Sequence, residues 1–461
     1  MDRFDLVIIG AGPAGEAAAY KARSLGASVA IVDRDLFGGA CPFFACVPSK
    51  SLLHSAAVHA AGGDYPWPRA SLRRDWMISR ERIDYPDDTR HFEDLRKAGA
   101  VPMRGNARLN GPGQVVITHD EVEHRLEAGA VILGVGSTSK VPDLPGLADI
   151  PFWTNREATS ARELPESLVI LGAGPTGVEL SQAYARYGVP VTLVVPSARI
   201  LPRDHERSSA AVAKGLERDG VTIHTGARAV AAHAAAGKTG RHRFDLDDGS
   251  SVEGSAVLLA IGRDLPLADL GLDSVGVDIS AGRLHPDAQL RIAPGLFVAG
   301  DPAGPEMHTH VSHYEGEITA RIALGEDVSP DFSAIPRAVY TDPESASVGL
   351  LLEQAREHGI RAEELTSDLA TTAKGEVAEA DGHVTIVVDR DAGALAGVFM
   401  AGPSVSEAIH EAVLAVKLQT PLAVLADTLH AFPTVARVLG LLFNEAVLSA
   451  PPRDQTSTAS R

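Results

Sequence analysis

The first apolar run, Leu6-Val-Ile-Ile9, ends in Gly10-Ala11-Gly12-Pro13-Ala14-Gly15, and an Ala-rich stretch follows to about Ser24. A second run, Ser28-Val-Ala-Ile-Val32, closes on Asp33 and Arg34. Short, wholly apolar runs bounded by glycine predict strands buried on both faces, and the stretch between them predicts a helix. The same order returns at Leu168-Val-Ile-Leu-Gly172-Ala-Gly174-Pro-Thr176-Gly177, with a helix to Tyr187 and a strand over Val191–Val195. Three more apolar runs predict buried strands: Ala130–Leu133 before Gly134-Val-Gly136-Ser137, Ala256–Ile261 before Gly262-Arg263, and Leu296–Ala299 before Gly300-Asp301. From about residue 334 the texture changes. Alternating strands at Val384–Val388 and Ala394–Met400, then an apolar helix at Val405–Leu418, predict an α+β domain. The charge-rich segment Ala60–Arg96 predicts helix on the outside, and polar residues 451–461 predict a disordered tail.

Glycines in such a turn permit close approach of a pyrophosphate to a helix N-terminus, and an acid ending the second strand accepts hydrogen bonds from a ribose hydroxyl. Gly10, Gly12, Gly15 and Asp33 complete this dinucleotide fingerprint. The second copy keeps Gly172, Gly174 and Gly177 but not the acid. Asp33 stands 23 positions after Gly10, and Val195 stands 23 positions after Gly172. Its loss removes the usual preference for NADH over NADPH without creating a phosphate clamp. Arg199 and Arg203 are candidate cations for that clamp, and equally ordinary surface residues. The predicted class is therefore α/β: two Rossmann-like dinucleotide-binding domains plus a C-terminal α+β interface domain. Residues 1–146 and 264–333 form the first, 147–263 the second and 334–450 the third, with Val141-Pro-Asp-Leu-Pro-Gly146 as the crossing.

A net charge of -18 disfavours nucleic acid and anionic membranes as partners. With a strand starting at Leu6 there is no room for a signal peptide, and no apolar run approaches a membrane span, so a soluble cytoplasmic protein is expected. Both of its two cysteines fall in Gly38-Gly39-Ala40-Cys41-Pro-Phe43-Phe-Ala45-Cys46-Val-Pro-Ser-Lys50, which excludes a secreted disulfide framework. On a regular helix, residues five apart lie roughly 8.5 Å apart at Cα, beyond the ~7 Å a disulfide spans. A Cys41–Cys46 bridge therefore needs an irregular turn, which Pro42 and Pro48 favour, and a strained bridge is easily reduced. Two unrelated thiols, or half a zinc site, are the bland readings; zinc lacks further ligands at suitable spacing, and no metal is expected.

Together the paired glycine units, the dicysteine segment ending Pro-Ser-Lys50, Gly300-Asp301, Tyr340-Thr-Asp-Pro-Glu344 and the domain order resemble the class I pyridine nucleotide-disulfide oxidoreductases. This is the family of dihydrolipoamide dehydrogenase, glutathione reductase and mercuric reductase. The resemblance implies a homodimer with FAD on the first unit and NAD(P)H on the second, NADPH slightly favoured. It makes Cys46 the thiolate facing the flavin, Cys41 the thiol that meets substrate, and Lys50 and Glu179 a pair tuning the flavin. It implies cofactor contacts from Gly10, Gly12, Pro13, Ala14, Gly15, Asp33 and Arg34, and from Gly39, Ala40, Cys41, Cys46 and Lys50. Ala107, Gly136, Ser137, Gly300 and Asp301 are further expected contacts, as are His308, Thr309 and His310. Gly172, Gly174, Thr176, Gly177, Val195, Arg199, Gly262 and Arg263 complete that set.

The departures from the family pattern matter as much. Phe43 and Ala45 replace the usual asparagine and glycine. Where the family carries His-Pro-Thr with a glutamate five residues after the histidine, this chain reads Phe432-Pro-Thr-Val-Ala-Arg437. Phenylalanine accepts no proton and arginine cannot orient an imidazole as an acid does, so the base for thiol–disulfide exchange is missing. His430 belongs to the family pattern itself; His308, His310 and His313 are candidates for a replacement acid or ordinary packing. The Phe/Arg pair is similar to the arrangement in members like 2-ketopropyl-coenzyme M oxidoreductase/carboxylase. The expected activity is electron flow from NAD(P)H through FAD and the Cys41/Cys46 disulfide to a small disulfide, thioether or other electrophile, with Arg437 suited to an anionic one. Two readings stay open: direct reduction of a quinone or other acceptor from the flavin, and a non-catalytic flavin-binding protein.

Overall fold

A computed structural model describes residues 2–80, 86–235 and 240–449; the tail expected over 451–461 lies outside them. The chain gathers into two units. One comprises residues 1–172, 186–191 and 229–331, the other 173–185, 192–228 and 332–461.

The first unit opens with β1 (Asp2–Ile9), α1 (Pro13–Ser24) and β2 (Val29–Asp33), followed by helices α2 (Ala40–Phe44), α3 (Cys46–Ala60), α4 (Trp67–Ser79) and α5 (Thr89–Lys97). Strands β3 (Val101–Arg104), β4 (Asn106–Leu109), β5 (Gln114–His119) and β6 (Val122–Leu133) complete its first part. β1 lies parallel between β2 and β6, with Leu6 opposite Val29 and Ala130. The sheet runs from Arg291–Ala293 through Leu296–Val298, β6, β1 and β2 to β3. Leu6, Ile8, Val29 and Ile31 pack on one face against α1 and the helix Thr309–Ala323. Val7, Ile9, Ala30 and Val32 fill the other face with Leu126 and Leu133. Burial on both faces is why these strands are continuous apolar runs. Alanines along α1 let the Thr309–Ala323 helix come close: a Cβ on Gly316 would lie 2.1 Å from the Ala14 carbonyl oxygen.

The described part of Ala60–Arg96 is largely helical with one face exposed, as expected, but its other face is buried. In α4, Trp67, Ala70, Arg74 and Ile78 are buried. Arg74 is tolerated there because its guanidinium binds Asp75 at 2.6 Å and the Ala161 carbonyl at 2.8 Å. Residues 81–85 of that segment fall outside the described ones.

In the second unit an antiparallel sheet runs Arg337–Val339, Glu344–Gly349, Ala394–Gly402, His383–Asp389, Ala362–Asp368. Helices Val405–Leu418 and Val435–Leu448 close one core over it, where Val384, Ile386, Val398, Ile409, Leu439 and Phe443 meet. This is the expected α+β texture.

Candidate active site

Two glycine turns are built alike. Gly10 has φ +105° and Gly172 +104°, values open to glycine but strained for other residues. A Cβ on Gly10 would lie 2.2 Å from the Gly134 carbonyl oxygen ending β6, and one on Gly172 would lie 2.4 Å from the Ala260 oxygen ending the parallel strand Ala256–Leu259. Gly12 caps α1 in extended conformation with no side-chain cap, so the first-turn amides of α1 stay available to an anion. Gly39 faces it: a Cβ there would sit 2.7 Å from Gly12 Cα and fill the opening over the helix. Asp33 accepts the Ala11 N–H at 2.6 Å and the Asp35 N–H at 2.8 Å, while burial pushes its carboxyl above the usual range. The uncapped start of α1 and the glycine opening over it are a shape that fits the phosphates of a dinucleotide. Gly15 is a packing glycine, since a Cβ there would lie 1.9 Å from the Gly10 oxygen. Gly15→Ala is expected to cost about 1–3 kcal/mol through overpacking. Its measure is a lower melting temperature together with flavin lost on desalting; flavin retained at wild-type stoichiometry would refute the fit.

The dicysteine segment is irregular where the spacing demands it. α2 stops at Phe44, Ala45 adopts φ -130° and ψ -99°, and α3 restarts at Cys46. The break brings the sulfurs within hydrogen-bonding reach, and both cysteines are in the dithiol form. Hydrogen bonding to Cys46, then burial, pushes the Cys41 thiol strongly up, so Cys41 holds its proton. Cys46 heads the fifteen-residue α3, where the helix dipole favours negative charge. The Thr309 hydroxyl lies 3.2 Å from Cys46 Sγ. Lys50 follows Cys46 by one helical turn on the same helix. Phe43 is buried with Leu36 and Ile78. The Phe44 carbonyl accepts from Asn155 Nδ2 at 2.8 Å and the Thr159 hydroxyl at 3.2 Å. Asn155 and Thr159 lie over a hundred positions from Phe44, and no sequence signal points to them.

Elsewhere in the first unit, the Ser137 hydroxyl donates to Asp301, and Arg263 donates to Ser137 and reaches Asp301 at 3.3 Å. Three expected cofactor contacts are thus joined to one another. Gly136 (φ +62°) and Gly262 (φ +127°) border open space, whereas a Cβ on Gly300 (φ +77°) would lie 3.1 Å from Ala14 Cβ. Below Asp301, buried Glu315 accepts the Gly300 N–H at 2.6 Å, and burial pushes its carboxyl up to about 8. Ala107 lies in β4 opposite Ile117, Arg34 is exposed beyond β2, and Ala40 starts α2. His308 stacks on His310 at 5.2 Å and contacts Glu306 at 3.1 Å; His310 and His313 point to solvent. Among the described residues no group of three or more His, Cys, Asp or Glu could hold a metal.

In the second unit, Gly174 borders open space, Thr176 and Gly177 start the helix Pro175–Ala185, and Val195 is buried at its strand's end. Arg199 folds back on its own loop, donating to the Leu201 and Pro202 carbonyls at 3.0 Å each, while Arg203 is exposed. Glu179 is buried and accepts the Tyr340 N–H at 3.1 Å. His430 Nε2 meets Glu411 at 2.8 Å, with its ring pressed on Gly440. Phe432 is 74% exposed, a large apolar ring offered outward. Arg437 lies in the first turn of Val435–Leu448, its N–H capped by Thr434 at 3.1 Å.

Residues 4–316 match the model of the pyridine nucleotide-disulphide oxidoreductases, and 335–442 match that family's dimerisation domain. A dihydrolipoyl dehydrogenase of Halobacterium salinarum is 32% identical over 94% of each chain. One of Bacillus subtilis is 31% identical over 96% of this chain and 98% of its own. Among solved structures, LpdA of Mycobacterium tuberculosis superposes with a TM-score of 0.86 at 26% identity, covering 96% of this chain and 99% of its own. The HOCl-induced flavoprotein disulfide reductase RclA of Escherichia coli shares the fold, with a TM-score of 0.84 at 24% identity over 95% and 99%. Those relatives cover nearly the whole of this chain, and the chain is a member of the pyridine nucleotide-disulphide oxidoreductase family, FAD-dependent enzymes that take electrons from NAD(P)H and act on sulfur groups.

Proposed function

We propose that Cys41 and Cys46 carry two electrons from the flavin to a small disulfide, thioether or other electrophile outside the usual substrates of this family. The observation that supports this most directly is the break at Ala45, which sets Cys41 against Cys46 at the head of α3. FAD, when bound, accepts hydride from NAD(P)H and relays the electron pair to sulfur. With a disulfide substrate, Cys41 attacks one sulfur, the substrate S–S bond breaks, and the departing thiolate takes up the Cys41 proton. Cys46 then attacks Cys41, releasing the second thiolate and restoring the disulfide, so two electrons and two protons pass to substrate. Lys50 and Glu179 are assigned the role of tuning the flavin, and residues 147–263 that of holding the nucleotide. With Arg199 engaged by carbonyls and no acid at Val195, exposed Arg203 is the better cation for a 2'-phosphate, which favours NADPH.

Arg437, standing where the family carries a glutamate, suits an anionic substrate, and exposed Phe432 makes that side apolar. A homodimer through the third domain accords with the family and with Leu414, Leu418 and Leu448 exposed on its helices and Leu429 exposed between them. No described helix is long and apolar enough to cross a membrane. Anaerobic titration with NADPH and NADH, followed by disulfides, thioethers and quinones, tests the reading. A long-wavelength thiolate-to-flavin band after reduction, with faster reduction by NADPH, is the expected result. Absence of that band at every stage would remove the cysteines from the pathway and favour direct transfer to a quinone.

A further inference from the structure

His91 and Glu16 belong to none of the motifs above, yet they meet beside the dicysteine segment. His91 lies on α5, with Nδ1 at 2.9 Å and 3.2 Å from the two carboxylate oxygens of Glu16 in the first turn of α1. Its ring covers Gly38: a Cβ there would lie 2.9 Å from Nδ1 and Cε1. The same ring meets the Phe43 ring edge-on, centroids 5.7 Å apart. Three positions earlier, Asp88 accepts the Phe37 N–H at 2.8 Å and is held by Arg104 at 2.7 Å. From the opposite side the Gly38 N–H donates to the Ala11 carbonyl at 2.7 Å. The lead-in Phe37–Gly38 is therefore gripped between the glycine turn and the start of α5, and Phe43, one of the two departures inside the dicysteine segment, rests on that grip.

We infer that the His91–Glu16 pair is a positioning clamp that fixes the dicysteine segment, and with it Cys41, through Gly38 and Phe43. The consequence for turnover rests on the electron path proposed above; the clamp itself does not. Glu16 on α1, Asp88 at the N-cap of α5 and Arg90 on α5 are the charged groups that act on the imidazole. The hydrogen bond to Glu16, helped by Asp88, holds His91 above the ordinary imidazole range, against burial and Arg90. The ion pair is therefore complete below the ordinary value of about 6.5. It decays to a neutral hydrogen bond as pH rises through the raised value.

The test is alkylation of Cys41 by iodoacetamide in reduced holoenzyme, read by peptide mass, as a ratio of variant to wild type across pH. Taking the ratio cancels the titration of the thiol itself. His91→Gln should alkylate about threefold faster than wild type at low pH, as expected for a partly exposed ion pair. The ratio should fall toward unity above His91's pKa, and Glu16→Gln, which keeps size and shape, should reproduce it. A ratio independent of pH in both variants would overturn the clamp. The thiolate-to-flavin band, recorded on the same samples, separates the two ideas. A normal band with a flat ratio rejects the clamp and keeps the electron path, whereas the expected ratio without a band does the reverse.

Discussion

Cys41→Ser is expected to lower turnover with disulfide acceptors by about 10³-fold, because the group that attacks substrate sulfur is gone. Reduction of the flavin by nucleotide should proceed at nearly the wild-type rate, since nothing in that half-reaction uses Cys41. A second signature should accompany the loss. Cys46, deprived of its disulfide partner, stays reduced at the head of α3, where the helix dipole and the Thr309 hydroxyl favour the thiolate. The resting variant should therefore show a long-wavelength flavin band that the resting wild type lacks. Stopped-flow absorbance measures both. Steady-state turnover unchanged with every acceptor would mean that electrons leave the flavin directly.

The second large effect runs the other way. Phe432→His with Arg437→Glu is expected to raise disulfide reductase activity by about 10²-fold, the lower end of what a positioned general base contributes. Phe432 is an exposed ring and Arg437 lies in the first turn of the following helix, so both replacements enter without a core to disrupt. The sign of the pH dependence follows from the imidazole. It accepts a proton only when neutral, so the gain should appear as pH rises through about 6.5. Activity toward any substrate that relies on Arg437 should fall in the same variant. Disulfide turnover unchanged over the whole pH range would show that the absent base is not what limits this chain.

Most of the fold was legible because burial leaves a plain trace when both faces of a strand are covered. Leu6–Ile9 and Val29–Val32 are continuous apolar runs for that reason, and the glycines after them announce the turns. The broken helix between Cys41 and Cys46 was legible from spacing alone. Contacts that polar residues make across long stretches of chain were not. Arg74 reads as surface, but Asp75 and a distant carbonyl satisfy it in the interior. Phe43 reads as a gap in a family pattern, and its partners His91, Leu36 and Ile78 carry no periodic signal that would pair them with it. Arg199 reads equally as a candidate phosphate cation and as a surface residue, and the bonds its guanidinium makes to its own loop carry no sequence signal. In each case the charge or ring was visible, and the partner that decides its role was not.

The two glycine turns close in the same way, each against the carbonyl that ends the neighbouring parallel strand. That close approach is between backbone atoms in both copies, although the residue that ends the second strand differs: Asp33, which also holds the Ala11 N–H, in one and Val195 in the other. Capacity and preference are thus inherited separately. Exchanging the residue that ends the second strand changes what a turn prefers to hold, whereas any side chain at Gly10 or Gly172 collides with the turn itself.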